Sequence, residues 1–148
     1  MQTPWKILEK WRSPRAPAAL PQAASEGADN SKLRGQRAED AALHYLQQQG
    51  LRPLARNYRT PGRGGGEIDL VMQERDGTVV FVEVRQRQHG GFGGAGGSIG
   101  GTKQRRIILA ARHYLASLRQ QPACRFDAVL VEQEIVWLRA AFDVPDGG

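Results

Sequence analysis

Apolar residues along the chain fall into two helical stripes and five short runs with strand character. After Asn30, the residues Ala38, Ala41, Ala42, Tyr45 and Leu46 recur at the spacing of one helix face. Asn30 or Ser31 offers a cap at one end, and Gly50 a left-handed stop at the other. Strands are predicted over residues 51–59, weakened by Pro53, over 67–74 and over 78–87. A loop with eight glycines between residues 90 and 101 follows. Thr102 can cap a second helix with the stripe Ile107, Ile108, Ala111, Tyr114, Leu115 and Leu118. Two more strands are predicted near residues 125–132 and 135–139. The order α-β-β-β-α-β-β predicts an α/β (α+β) domain with a mixed sheet flanked by helices.

That domain is expected over residues 31–142, with 143–148 as a short tail. Residues 1–30 read as a flexible extension. Ser13 to Pro21 is rich in proline and alanine, and its prolines and charges interrupt any signal-peptide core. Trp5, Ile7, Leu8 and Trp11 could form one amphipathic turn that anchors a protein partner, although an inert tail is the plainer explanation.

Two strand acids stand out. Asp69 lies between Ile68 and Leu70, and Glu83 between Val82 and Val84. A solvent-facing strand position carries such a charge routinely, so their relative placement decides whether they matter. Arg75-Asp76-Gly77 separates the two strands. A two-residue Asp-Gly loop would put Asp69 and Glu83 on opposite faces. A three-residue loop would pair Glu74 with Thr78, set Asp69 opposite Glu83 and set Glu67 opposite Arg85. The three-residue loop wants a left-handed residue in third place, where Gly77 falls, and is preferred for that reason. The two carboxylates would then have Cβ atoms ~4.5–5.5 Å apart and would repel. A divalent cation between them removes the conflict, and carboxylate oxygens with waters and a substrate phosphate are usual Mg²⁺ ligands. Glu39 on the first helix is a candidate third acid, or else a surface neighbour of Asp40.

Charge extends the picture. The 148 residues carry 21 Lys+Arg against 15 Asp+Glu, a formal +6, and 17 of the basic residues are arginine. Arginine favours bidentate phosphate contacts, so a polyanionic partner is expected, nucleic acid first. A general arginine bias of the source proteome is the alternative explanation. No acid interrupts residues 41–66 or 84–126, the stretches holding Arg52, Arg56, Arg59, Arg63, Arg85, Arg87, Lys103, Arg105 and Arg106. An acidic centre in a basic surround suits metal-dependent attack on a phosphodiester. No apolar run is long enough to span a membrane. One cysteine, Cys124, makes no internal disulfide; it is expected as a buried small residue, not a nucleophile. His44, His89 and His113 lack metal-ligand spacing, and Trp137 is expected to fill core.

Gly66-Glu67-Ile68-Asp69-Leu70-Val71, then Phe81-Val82-Glu83-Val84-Arg85, then Lys103-Gln104-Arg105-Arg106, resemble the YraN family of predicted endonucleases. So does the pattern G-x-x-A-E-x-x-A-x-x-Y-L from Gly35 to Leu46. The resemblance runs over residues 33–132. It implies a restriction-endonuclease-like core of the PD-(D/E)xK superfamily, which includes Holliday-junction resolvases. It implies metal-dependent cleavage of DNA, in which branched DNA is one candidate form. Glu39, Asp69 and Glu83 would be the ligands of Mg²⁺, with Mn²⁺ as substitute. Asp69, Glu83 and Arg85 would be catalytic, and Arg59, Arg63, Arg87, Lys103, Arg105 and Arg106 would bind nucleic acid. Such a protein is expected in the cytoplasm, with DNA as partner, and the reading admits a homodimer. Arg85 departs from the family, which carries lysine there. Arginine holds a phosphate but does not release a proton near neutral pH. A nucleic-acid-binding module with reduced catalysis is therefore the rival function, and a structural partner of a DNA-processing complex is the third.

Overall fold

The structure is a computed structural model and describes residues 26–86 and 99–145. Expectations for residues 1–25, and for Arg87, His89 and Phe92, lie outside the described residues. Among the described residues, two helices and five strands follow in the expected order: α1 (Glu26–Gln48), β1 (Arg52–Arg59), β2 (Glu67–Gln73), β3 (Val79–Gln86), α2 (Gly101–Ala116), β4 (Cys124–Val131) and β5 (Ile135–Phe142). The strands form one mixed sheet in the order β1-β2-β3-β4-β5. Only β3 and β4 run parallel, because α2 carries the chain back between them; every other neighbouring pair is antiparallel.

A helix covers each face. On one side Ala42 and Leu46 of α1 pack on Leu70, Met72, Val80, Val82 and Val129. On the other, Ile107, Ile108, Ala110 and Ala111 of α2 pack on Val71, Val79, Phe81, Phe126 and Phe142. The central strands β2 and β3 are buried on both faces, so they read as near-continuous apolar runs.

Helix ends follow local chemistry with two corrections. The α1 terminus is a paired-bond stop: Leu51 N–H reaches Leu46 O at 3.0 Å and Gly50 N–H reaches Gln47 O at 3.0 Å. Gly50 has φ +96°, as expected of the residue past such an end. The other end differs, since α1 already includes Glu26, before Asn30 and Ser31. Extending a formed helix costs little, and Asp29 near its start complements the helix dipole. Nor does Thr102 cap α2. Gly100 holds the cap position in extended geometry, and Thr102 lies within the first turn, accepting from Arg105 at 3.2 Å.

The hairpin between β2 and β3 has the three-residue register. Glu74 N–H donates to Thr78 O at 2.9 Å, Gly77 N–H to Glu74 O at 3.0 Å, and Gly77 has φ +94°. The ladder runs from Gln73 opposite Val79 to Leu70 opposite Val82. One step beyond its end stand Asp69 and Glu83.

Candidate active site

The ladder stops where the acids begin, and a side chain takes over the bonding. The Val84 N–H donates to Asp69 Oδ2 at 2.9 Å, so Asp69 is tied to the β3 backbone. Glu83 follows four fully apolar β3 positions and is itself buried, 7% exposed. The two carboxyl groups share a hydrogen bond. Burial first, and the Asp69 charge second, push Glu83 up to about 8. Lys103 opposes that shift: its Nζ lies 3.3 Å from Glu83 Oε1, but it does not overcome burial. Without a cation the pair therefore retains one proton at neutral pH.

Lys103 is the residue whose role sequence reasoning missed. It was expected only among the phosphate-binding residues. A signal was present, because Lys103 lies four residues before Ile107 and seven before Ala110, extending the buried stripe of α2 by one turn. A lysine on such a stripe faces the sheet, and here the facing acid is Glu83. An ammonium thus stands beside the acid pair although β3 carries Arg85 where the resembling family carries lysine. Arg85 is half-buried near the end of β3, with Leu130 of β4 opposite it.

Glu39 approaches from α1 without joining the pair. It accepts from Asn57 Nδ2 at 3.2 Å and from Arg56 at 3.4 Å, while Arg56 also holds Asp40 at 2.5 Å. Burial, followed by the Asp69 charge, pushes the Glu39 pKa up against those donors. Among the described residues no group of three or more His, Cys, Asp or Glu is gathered to hold a metal ion. The donors present, two carboxylates short of one negative charge, fit a hard cation that keeps several waters. They do not make a closed cage.

The basic residues divide. Lys103 is at the acids. Arg59 and Arg106 flank Glu67, at 3.2 and 4.0 Å. Arg63 and Arg105 are exposed on the β1–β2 connection and α2. Glu67, set opposite Arg85 by the three-residue register, forms ion pairs with Arg59 and Arg106. Cys124 is exposed at the first position of β4, contrary to expectation, because the strand begins there at the sheet's rim. Burial still pushes its thiol pKa up, away from nucleophilic use. Trp137 packs on the α1-side core and spends its indole N–H on Asp127, at 2.9 Å.

Comparison with known proteins places this arrangement in a family. The model of the family described as "Uncharacterised protein family UPF0102" matches residues 38–131, from α1 through β4. The chain belongs to the UPF0102 family, the YraN family. A UPF0102 protein of Verminephrobacter eiseniae is 67% identical over 112 residues, covering 74% of this chain and 78% of that one. One of Albidiferax ferrireducens is 60% identical over 126 residues, covering 84% and 98%. One of Paracidovorax citrulli is 63% identical over 114 residues, covering 76% and 84%. In this UPF0102 chain, no helix among the described residues is long and apolar enough to cross a membrane.

Proposed function

We propose that the protein is a metal-dependent nuclease that hydrolyses DNA phosphodiester bonds in the cytoplasm. The observation that carries the reading is the buried Glu83, hydrogen-bonded to Asp69 and 3.3 Å from the Lys103 ammonium. A fold that needed only stability would not bury one acid against another, since that costs solvation of charge for no packing gain. Asp69 and Glu83 would hold Mg²⁺ or Mn²⁺. When bound, the ion would polarise a phosphate oxygen and lower the pKa of a water. Lys103, 3.3 Å from Glu83, would hold a water beside that carboxyl and offset the negative charge left when the water's proton passes to solvent. Arg85 grips the phosphate being cleaved. Glu39, held by Arg56 and Asn57, adds negative field without filling the coordination sphere. The basic residues of α2 and the β1–β2 connection receive the strand's remaining phosphates.

The test is cleavage of linear, flap and four-way-junction DNA with Mg²⁺ or Mn²⁺, with Glu83→Ala as control. Metal-dependent cleavage by wild type, lost in the variant, supports the reading, and the preferred DNA form identifies the substrate. DNA binding with no cleavage of any form would make the protein a binding module.

A further inference from the structure

The β1–β2 connection and the early turns of α2 enclose an open cleft of about 300 Å³, lined by Arg59, Thr60, Gly62, Gly64, Glu67 and Arg106. We propose that this cleft is a phosphate subsite, which receives the backbone phosphate next to the one at the acid pair. The nucleic acid that carries the phosphate rests on the nuclease reading; the anion site itself rests on the cleft.

Its two guanidiniums are aimed rather than loose. Glu67 stands between them, with Oε1 3.2 Å from Arg59 and Oε2 4.0 Å from Arg106. Arg106 Nε also donates to Gly65 O at 3.4 Å. Two like charges would otherwise separate, so the carboxylate between them fixes the fork. Each guanidinium has five N–H donors, and these contacts engage a minority. The side chains stay 71% and 50% exposed, leaving donors turned to solvent. Even with Glu67 ionised the cleft keeps a net positive charge, and paired forks match phosphate oxygens.

The loop backbone separates packing glycines from open ones. A Cβ at Gly66 would lie 2.2 Å from Arg106 O and 2.6 Å from Ala110 N, and one at Gly65 would lie 2.7 Å from Thr60 O. Those two glycines let α2 and the loop close together. Gly62 and Gly64 have left-handed φ of +92° and +71°, and nothing lies within 4 Å of either Cβ position. Left-handed glycines on both sides of Arg63 give the loop the kind of alternating backbone in which anion-binding concavities of main-chain N–H groups form. Open space there lets a phosphate reach the main chain.

The cleft continues the candidate active site. Lys103 reaches Glu83, and Arg106, nearly one turn further along α2, reaches Glu67. Glu67 precedes Asp69 by two strand residues, a rise of ~7 Å. That is of the order of the step between successive phosphates on one strand, so a strand laid along α2 would engage both places.

Amide NMR of the full chain under titration with inorganic phosphate tests the site directly. The expected result is saturable shifts at Gly62, Gly64, Gly65 and Gly66. Arg106→Gln should weaken phosphate at least tenfold and Arg59→Gln several-fold, with the remaining spectrum unchanged. Absent shifts at these glycines, or wild-type phosphate affinity in both variants, would overturn the subsite. A second arm replaces single DNA phosphates by neutral methylphosphonates. Wild type should lose binding at the position beside the cleavage site, and Arg106→Gln should no longer sense that replacement. If wild type cleaves DNA while both variants cleave with unchanged KM, the subsite falls and the nuclease reading stands. If phosphate titrates the glycines but no DNA is cleaved, the nuclease reading falls and the anion site stands.

Discussion

A single glutamate makes the pH behaviour of this protein unusual. Glu83 keeps its proton to about pH 8 in the fold and releases it near 4.5 when unfolded. Between those values the folded state binds more protons, so stability falls as pH rises. The size is of the order of a few kcal/mol, with Glu39 adding in the same direction. Chemical denaturation with a chelator, from pH 5 to 8.5, should show this fall in wild type and a flatter line in Glu83→Gln; a rising wild-type line would contradict it. Lys103→Met should leave Mn²⁺ affinity near wild type. Single-turnover cleavage should drop about 10²–10³-fold, in the range of a lost charge-stabilising donor. Because Lys103 holds the Glu83 pKa down, the metal-free variant should titrate at still higher pH. Unchanged rates would remove Lys103 from the mechanism. At the far side of the sheet, fully buried Asp127 accepts from Arg125, Trp137 and the Ala140 N–H. Trp137→Phe removes one donor and should cost about 1–3 kcal/mol.

Glycines mark where whole elements meet. Gly66→Ala places its methyl against helix backbone rather than a flexible side chain. The cost should reach at least the upper end of the roughly 1–3 kcal/mol usual for overpacking. Gly35 lies inside exposed α1 with nothing within 4 Å of its Cβ position. Gly35→Ala should therefore stabilise by about 0.5–1 kcal/mol, read as a raised denaturation midpoint. Element order and the β2–β3 register were legible because apolar period, Gly50 and Gly77 each act locally. The meeting of Asp69 with Glu83 was legible for the same reason, since one short hairpin fixes it. Lys103 at Glu83 was not, because 20 residues of chain separate them and only the crossover of α2 brings them together. The start of α1 and the Gly100 cap were missed where a favourable capping residue lost to helix propagation or to a glycine already in extended geometry. Asp127 was missed because its three donors arrive from two strands, one through the irregular pairing between Phe126 and Ala128.

Taken as a molecule, the chain combines a formal +6 with an acid pair at the end of the β2–β3 ladder. DNA affinity should fall steeply with salt as phosphate contacts release counterions. Arg106→Gln should reduce the log–log slope by about 0.9, the share of one phosphate. Burial and the Asp69 charge keep the Asp69–Glu83 pair protonated against that positive field until a cation displaces the proton, which links metal binding to proton release. Calorimetric titration of Mn²⁺ at pH 7, in two buffers of different ionisation enthalpy, measures that linkage at the site itself. The account predicts binding by wild type with about one proton released, and weaker binding without that proton in Glu83→Gln. Equal Mn²⁺ affinity in both proteins, with no proton released by either, would contradict it.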